Sequence, residues 1–103
     1  MDEQEQVVIN LIDNSGSARS SAIEAIQYAK AGNMEKAENS LQEAKETING
    51  AHHSQTELIQ GEIRGEQTPV NLLMVHAQDH LMSALVIIDL AQEFIDVYKK
   101  INS

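Results

Sequence analysis

The sequence lacks cysteine and tryptophan, and it has one proline and three aromatic residues among 103. The absence of cysteine excludes disulfide bonds, thiolate metal sites and thiol catalysis within this chain. One proline and five glycines are too few turn residues for a fold of many short strands. The core must therefore be built from Ala, Leu, Ile, Val and Met, and the length suits one small domain.

Positive charge is also scarce, because seven basic residues stand against sixteen acidic ones, giving a formal net charge of −9. Binding to nucleic acid or to an anionic membrane surface requires clustered Lys and Arg, so both functions are disfavoured. The N-terminal stretch MDEQEQVVIN is acidic and has no signal-peptide pattern. No apolar run approaches the length of a membrane span. We expect a cytoplasmic domain over residues 1–103, without membrane insertion.

Apolar residues recur at three- and four-residue spacing along almost the whole chain, which is typical of amphipathic helices. The pattern predicts helices over about residues 3–31, 34–60 and 69–101. The short connection between the first two makes them antiparallel neighbours. The predicted fold class is all-α, an antiparallel up-down-up three-helix bundle.

Capping residues mark the predicted helix ends. Gly32 suits the left-handed position that closes the first helix, and Asn33 can cap the second. Thr68 and Pro69 fit the N-cap and first turn of the third helix. The run Asn14-Ser15-Gly16 leaves one alternative open, a break within the first helix.

The third helix carries more apolar surface than a small monomer can cover. On a helical wheel its apolar arc is roughly 200° wide, about twice the width of one amphipathic face. The excess predicts contact with other subunits. His76, Asp79 and His80 lie within about 100° of each other in this arc, because residues three and four apart share a helix face. We expect these three groups to be at least partly buried near a subunit boundary, with Gln78 pointing elsewhere.

Three chemistries fit this trio. The run H-A-Q-D-H is similar to the zinc motif H-x-x-E-H, although no third ligand is evident. The trio could instead be a structural polar layer that fixes how subunits pack. Alternatively, a neutral imidazole could attack phosphorus as a nucleophile. His76 lies about two turns inside the predicted helix, so the positive helix end does not reach it. No phosphate-binding loop is present, which favours a phosphorylated protein over a nucleotide as donor.

Three stretches, NSGSARSSAIEAIQYAKAGN, AHHSQTELIQGE and VHAQDHLM, resemble enzyme IIA of the lactose/cellobiose family of the bacterial sugar phosphotransferase system (PTS). The resemblance covers nearly the whole chain. It implies a homotrimeric phosphotransferase, with HPr, the phosphorylated histidine carrier protein, as donor and a cysteine of the cognate IIB component as recipient. It also implies uptake of a β-linked disaccharide, and Ala77 favours the cellobiose and diacetylchitobiose members over the lactose members.

The resemblance also assigns roles to residues. His76, first in H-A-Q-D-H, matches the phosphoryl acceptor, and His80 matches a supporting histidine. Asp79 matches an aspartate that binds a divalent cation, usually Mg²⁺, at the trimer axis. Gln55 lies on the inward stripe of the second helix and is expected to reach the active face. The competing function is a non-catalytic helical interaction module in which the trio is purely structural.

Overall fold

Three long helices account for most of residues 3–103, the part of the chain that the computed structural model describes. They are α1 (Glu3–Lys30), α2 (Met34–Ile63) and α3 (Leu72–Ile101), and the described range contains no strand. α1 packs extensively on both other helices, whereas α2 and α3 share a smaller contact. The prediction of an all-α three-helix bundle is confirmed. Residues 1 and 2 of the predicted domain lie outside the described range.

The core follows a 3.5-residue repeat on every helix. Buried positions alternate at spacings of three and four residues, the pattern by which helices interlock side chains along a narrow seam. Alanine dominates these positions, which lets the helices approach closely. Ser15 is the one buried polar residue in this set within the described range. The buried positions that follow this repeat are Val8, Leu11, Ser15, Ala18, Ala22, Ala25 and Ala29 on α1, Ala37, Leu41, Ala44, Ile48 and Ala51 on α2, and Met74, Ala77, Leu81, Ala84, Ile88, Ala91 and Ile95 on α3.

The turn between α1 and α2 matches the sequence prediction. Gly32 has a φ of 87°, a conformation that glycine adopts without steric cost. The Asn33 side chain accepts a hydrogen bond from the Lys36 backbone N–H at 3.2 Å, which caps α2. α1 is continuous through residues 14–16, so the alternative of a break at that point is wrong.

The start of α3 differs from the prediction. The N-cap is Asn71, whose Oδ1 accepts from the Met74 N–H at 2.8 Å, and not Thr68. The carbonyl of Pro69 accepts a hydrogen bond from the Gln4 side chain at 3.0 Å, which ties this loop to the start of α1. Asparagine is at least as good a cap as threonine, so the later position prevails once the loop is tied.

The end of α2 also differs. The helix continues beyond the predicted stop at residue 60 and ends at Ile63, and Gly61 is buried within it. The residue that terminates the helix is Gly65, with a φ of 90°. Its N–H bonds back to the carbonyl of Glu62 at 3.1 Å, which closes the last turn.

Candidate functional site

The wide apolar arc of α3 resolves into two separate faces. One face is the buried seam described above, and the other is an exposed stripe that this chain leaves uncovered. A contiguous exposed apolar surface of this length marks an interaction site. No helix among residues 3–103 is long and apolar enough to cross a bilayer. The exposed stripe comprises Leu72, Val75, Met82, Val86, Leu90, Phe94, Val97 and Ile101.

The two histidines of H-A-Q-D-H lie beside each other at the edge of this stripe. The ring centroids of His76 and His80 are 4.2 Å apart, with an angle of 49° between the ring planes. His80 is half-buried, whereas His76 and Asp79 are exposed. One chain alone therefore does not bury His76 or Asp79, and their expected burial depends on another subunit.

His76 lies nearer to the helix start than the sequence indicated. Because α3 begins at Leu72, His76 is its fifth residue and not two turns inside. Helical side chains lean toward the N-terminus of their helix, which brings this imidazole back over the first turn. The positive end of the helix dipole acts mainly within that turn. The prediction that His76 lies two turns inside the helix is therefore wrong.

A cleft of about 390 Å³ opens between α1 and α3 next to His80. Its lining includes Ser15, Arg19, Asp79, His80 and Ser83. Ser15 is 1% exposed, and its hydroxyl has no hydrogen-bond partner among the described residues. Arg19, which lines this cleft, is not among the site residues predicted from the sequence. It is the one charged residue in the run of small residues on α1, and that contrast was the available signal.

The amide of Gln55 lies on the opposite side of α3 from the imidazoles. Gln55 Nε2 donates to Gln78 Oε1 at 2.8 Å and contacts Met82 Sδ at 3.5 Å. Gln78 Nε2 in turn contacts Met74 Sδ at 3.5 Å. As expected, Gln78 does not join the histidines. Within one chain, Gln55 belongs to this amide pair and not to the imidazole pair, so its catalytic role stays a prediction.

The donor set of one chain does not fit a bound metal. Among residues 3–103, no three His, Cys, Asp or Glu side chains are grouped to hold an ion. The zinc hypothesis therefore has no geometric support. Asp79 offers one carboxylate, and its neighbours along the stripe, Val75 and Met82, offer no oxygen for the hard cations that carboxylates prefer. A cation site at Asp79 requires carboxylates from several copies of the chain.

Comparison with known proteins gives one consistent result. The family model described as "PTS system, Lactose/Cellobiose specific IIA subunit" matches residues 6–99. The lichenan-specific phosphotransferase enzyme IIA component of Bacillus subtilis (strain 168) is 53% identical over 101 residues. These span 98% of this chain and 92% of the relative.

Solved structures agree with the sequence comparison. The crystal structure of the PTS cellobiose-specific enzyme IIA from Bacillus anthracis superposes with a TM-score of 0.93 at 56% identity, over 99% of this chain and 94% of that one. The IIA(Chitobiose) protein of Escherichia coli, solved in complex with HPr, gives a TM-score of 0.83 at 38% identity, over 100% of both chains.

Proposed function

The chain belongs to the lactose/cellobiose-specific IIA family of the phosphotransferase system, and we propose that it is a phosphocarrier that accepts a phosphoryl group on His76. The donor is phosphorylated HPr, and the recipient is a cysteine of the cognate IIB component. The exchange takes place in the cytoplasm. The HPr complex of the E. coli relative supports this choice of donor.

The observation that carries the proposal is the pair of adjacent imidazoles, one exposed and one half-buried. A ring nitrogen of His76 with a free lone pair attacks phosphorus, while the bond from phosphorus to the donor's nitrogen breaks and that nitrogen keeps the electron pair. In the second step a IIB thiolate attacks, and the electron pair of the breaking bond returns to His76. The exposure of His76 suits a protein donor, which must bring its own phosphohistidine to the surface.

His80 has a supporting role in this proposal. Its ring lies 4.2 Å from that of His76, within reach of oxygens on a phosphoryl group carried there. An N–H donor aimed at those oxygens stabilises charge that develops during transfer. The nearby start of α3 adds a favourable field for an anion.

The sugar is a β-linked disaccharide in this proposal, of the cellobiose or diacetylchitobiose type. Ala77 favours that group, and the lichenan and cellobiose names of two similar proteins support it. The chain itself carries phosphate and has no need to contact sugar.

The proposed assembly is a homotrimer that covers the exposed stripe of α3. Asp79 lies along that stripe between Val75 and Met82, so three copies of its carboxylate approach one another when three stripes meet. A divalent cation with oxygen ligands, Mg²⁺ in our proposal, relieves the repulsion between them. In this proposal the cation is held by carboxylates from three copies of the chain, and it takes no part in the transfer of the phosphoryl group.

Labelled phosphoryl transfer from phosphorylated HPr tests the function. The wild type should acquire one acid-labile phosphoryl group per chain, and His76→Ala should acquire none. His52→Ala and His53→Ala are matched controls, because both histidines are exposed on α2; both variants should be labelled at the wild-type level.

The same experiment separates the proposal from its competitor, a non-catalytic interaction module. Such a module should bind partners without becoming phosphorylated. Label retained by His76→Ala at the wild-type level would reject the acceptor assignment, and an unlabelled wild type would reject phosphotransfer altogether.

A further inference from the structure

Three polar groups in the cleft between α1 and α3 have no partner in the described part of the chain. The hydroxyl of Ser15 is buried without a hydrogen bond. Arg19 and Asp79 both line the same cleft of about 390 Å³, yet neither forms an ion pair or hydrogen bond within residues 3–103. Arg19 and Asp79 thus carry opposite charges on the lining of one cleft, and each is available for a partner.

We infer that Arg19 is the counter-charge of Asp79, and that the two side chains pair within each chain when copies of α3 associate. This inference rests on the trimer of the proposed function. It adds Arg19 of α1 to the proposed subunit interface, which the apolar stripe of α3 alone would not predict. The partner of this surface is a second copy of the same chain.

The local geometry favours this pairing. Arg19 follows Ser15 by four residues on α1, so the two side chains lie on one face. In the single chain Arg19 does not bond to the Ser15 hydroxyl, and it also lines a second cleft with Met82, Ser83 and Val86. A rotation of its side chain toward the N-terminus of α1, the direction that helical side chains favour, would bring the guanidinium to that hydroxyl. That hydroxyl can accept one N–H of the guanidinium, which leaves other N–H groups directed at the carboxylate. Ser83, on the lining of the same cleft, offers a further hydroxyl.

Electrostatics explains why assembly strengthens the pair. An exposed ion pair contributes little, because water screens it and both side chains lose freedom. Once a neighbouring subunit excludes water, three unpaired copies of Asp79 would repel strongly, and a charge-assisted hydrogen bond becomes much more favourable. Arg19 thus shares the neutralisation of Asp79 with any bound cation. The carboxylate on the lining makes the cleft a poor site for a free anion, despite its arginine.

Sedimentation equilibrium of Arg19→Gln against Arg64→Gln tests the pairing. Arg64 is a matched control, because it pairs with Glu66 in the α2–α3 connection and its loss removes the same charge. Arg19→Gln should weaken trimer association roughly tenfold relative to the control, the scale of a desolvated charge pair. Chelator should weaken this variant further than it weakens the wild type, since the cation then acts alone.

A double-mutant cycle makes the test specific. In an Asp79→Asn background, Arg19→Gln should change association less than twofold, because its partner is already gone. Arg19→Lys retains the charge and should stay within a few-fold of wild type. Circular dichroism checks that each variant is helical.

Several outcomes would overturn the pairing. The pairing is wrong if Arg19→Gln associates as strongly as Arg64→Gln. It is also wrong if Arg19→Gln weakens association as much in the Asp79→Asn background as in the wild type. A phosphate-induced gain in stability that Arg19→Gln abolishes, with assembly intact, would make the cleft an anion site instead. A monomeric wild type would refute both the trimer and the pairing. Labelling from phosphorylated HPr, measured on the same samples, reports separately on phosphotransfer.

Discussion

Replacing Asp79 with leucine should leave the protein trimeric and raise its melting temperature. Asp79 is exposed in the single chain and lies in line with the uncovered apolar stripe of α3. The substitution removes a charge from the centre of the proposed interface and continues the stripe. Exchanging a buried charge for a packed hydrophobe of similar volume is often neutral or stabilising.

The sizes of the gain and the loss in free energy determine whether the substitution stabilises the trimer. A leucine side chain buried on assembly contributes about 1.5–3 kcal/mol per copy at most. The cation lost with the carboxylates contributes about 2.7 kcal/mol per trimer at a hundredfold excess over its Kd, or about 0.9 kcal/mol per chain. The Arg19–Asp79 pair is lost as well, and a tenfold effect on association is about 1.4 kcal/mol per trimer, or about 0.5 kcal/mol per chain. The net gain is then about 0.1–1.6 kcal/mol per chain, which for a chain of this length raises Tm by up to roughly 10 °C.

The assay is thermal melting at fixed protein concentration, with and without a chelator, together with sedimentation equilibrium. Wild type should lose stability when chelator is added, whereas Asp79→Leu should not respond. Asp89→Leu is the matched control, because Asp89 is an exposed aspartate of α3 outside the stripe. It should not gain stability and should keep the chelator response. Asp79→Leu should also accept phosphate on His76.

Two results would refute the reasoning. A wild type that ignores the chelator has no cation between its subunits. Dissociation of Asp79→Leu into monomers would mean that Asp79 makes an essential contact, so that the stripe is not a self-associating apolar surface.

Two further predictions concern the second histidine and the start of α3. His80→Ala should accept phosphate more slowly, on the order of a hundredfold, because transfer loses one hydrogen-bond donor to the phosphoryl oxygens while the acceptor His76 remains. Stopped-flow labelling with phosphorylated HPr measures the rate. An unchanged rate would show that His80 only packs against His76 and does not assist transfer. Asn71→Ala should lower the free energy of unfolding by about 1 kcal/mol through loss of the cap, whereas Thr68→Ala should have almost no effect; urea denaturation measures both, and the reverse order would restore Thr68 as the cap.

Periodicity was enough to predict the helices, since apolar spacing records which face of each helix is covered. It was weaker at the boundaries. Thr68 and Asn71 both have side chains that can cap a helix, and the structure shows that Asn71 is used, after a loop that Gln4 ties to α1 by its hydrogen bond to the Pro69 carbonyl. Contacts of this kind join positions 65 residues apart and leave no trace in a local pattern.

At the site, too, the sequence predicted the local arrangement but not the contacts between helices. The i, i+4 spacing predicted that His76 and His80 share a face, and their rings are indeed adjacent. The wheel merged the buried seam and the exposed stripe into one arc, because hydropathy alone does not say what covers a side chain. Arg19 stands out in the sequence as a charge among small residues, but that it lines one cleft with Asp79 depends on how α1 packs against α3, which the sequence of either helix does not contain.

The alanine-rich seam has a consequence for how the helices are aligned along their length. Ala77, Ala84 and Ala91 repeat every seven residues on α3, and Ala37, Ala44 and Ala51 do so on α2. Sliding either of these helices by a heptad, about 10.5 Å, would therefore bring alanines back to alanine positions. Side-chain size on α2 and α3 does not by itself fix their vertical register. The seam of α1 differs, because its large residues, Val8 and Leu11, lie at one end and small residues follow. α1, which packs on both other helices, therefore sets the register of the bundle.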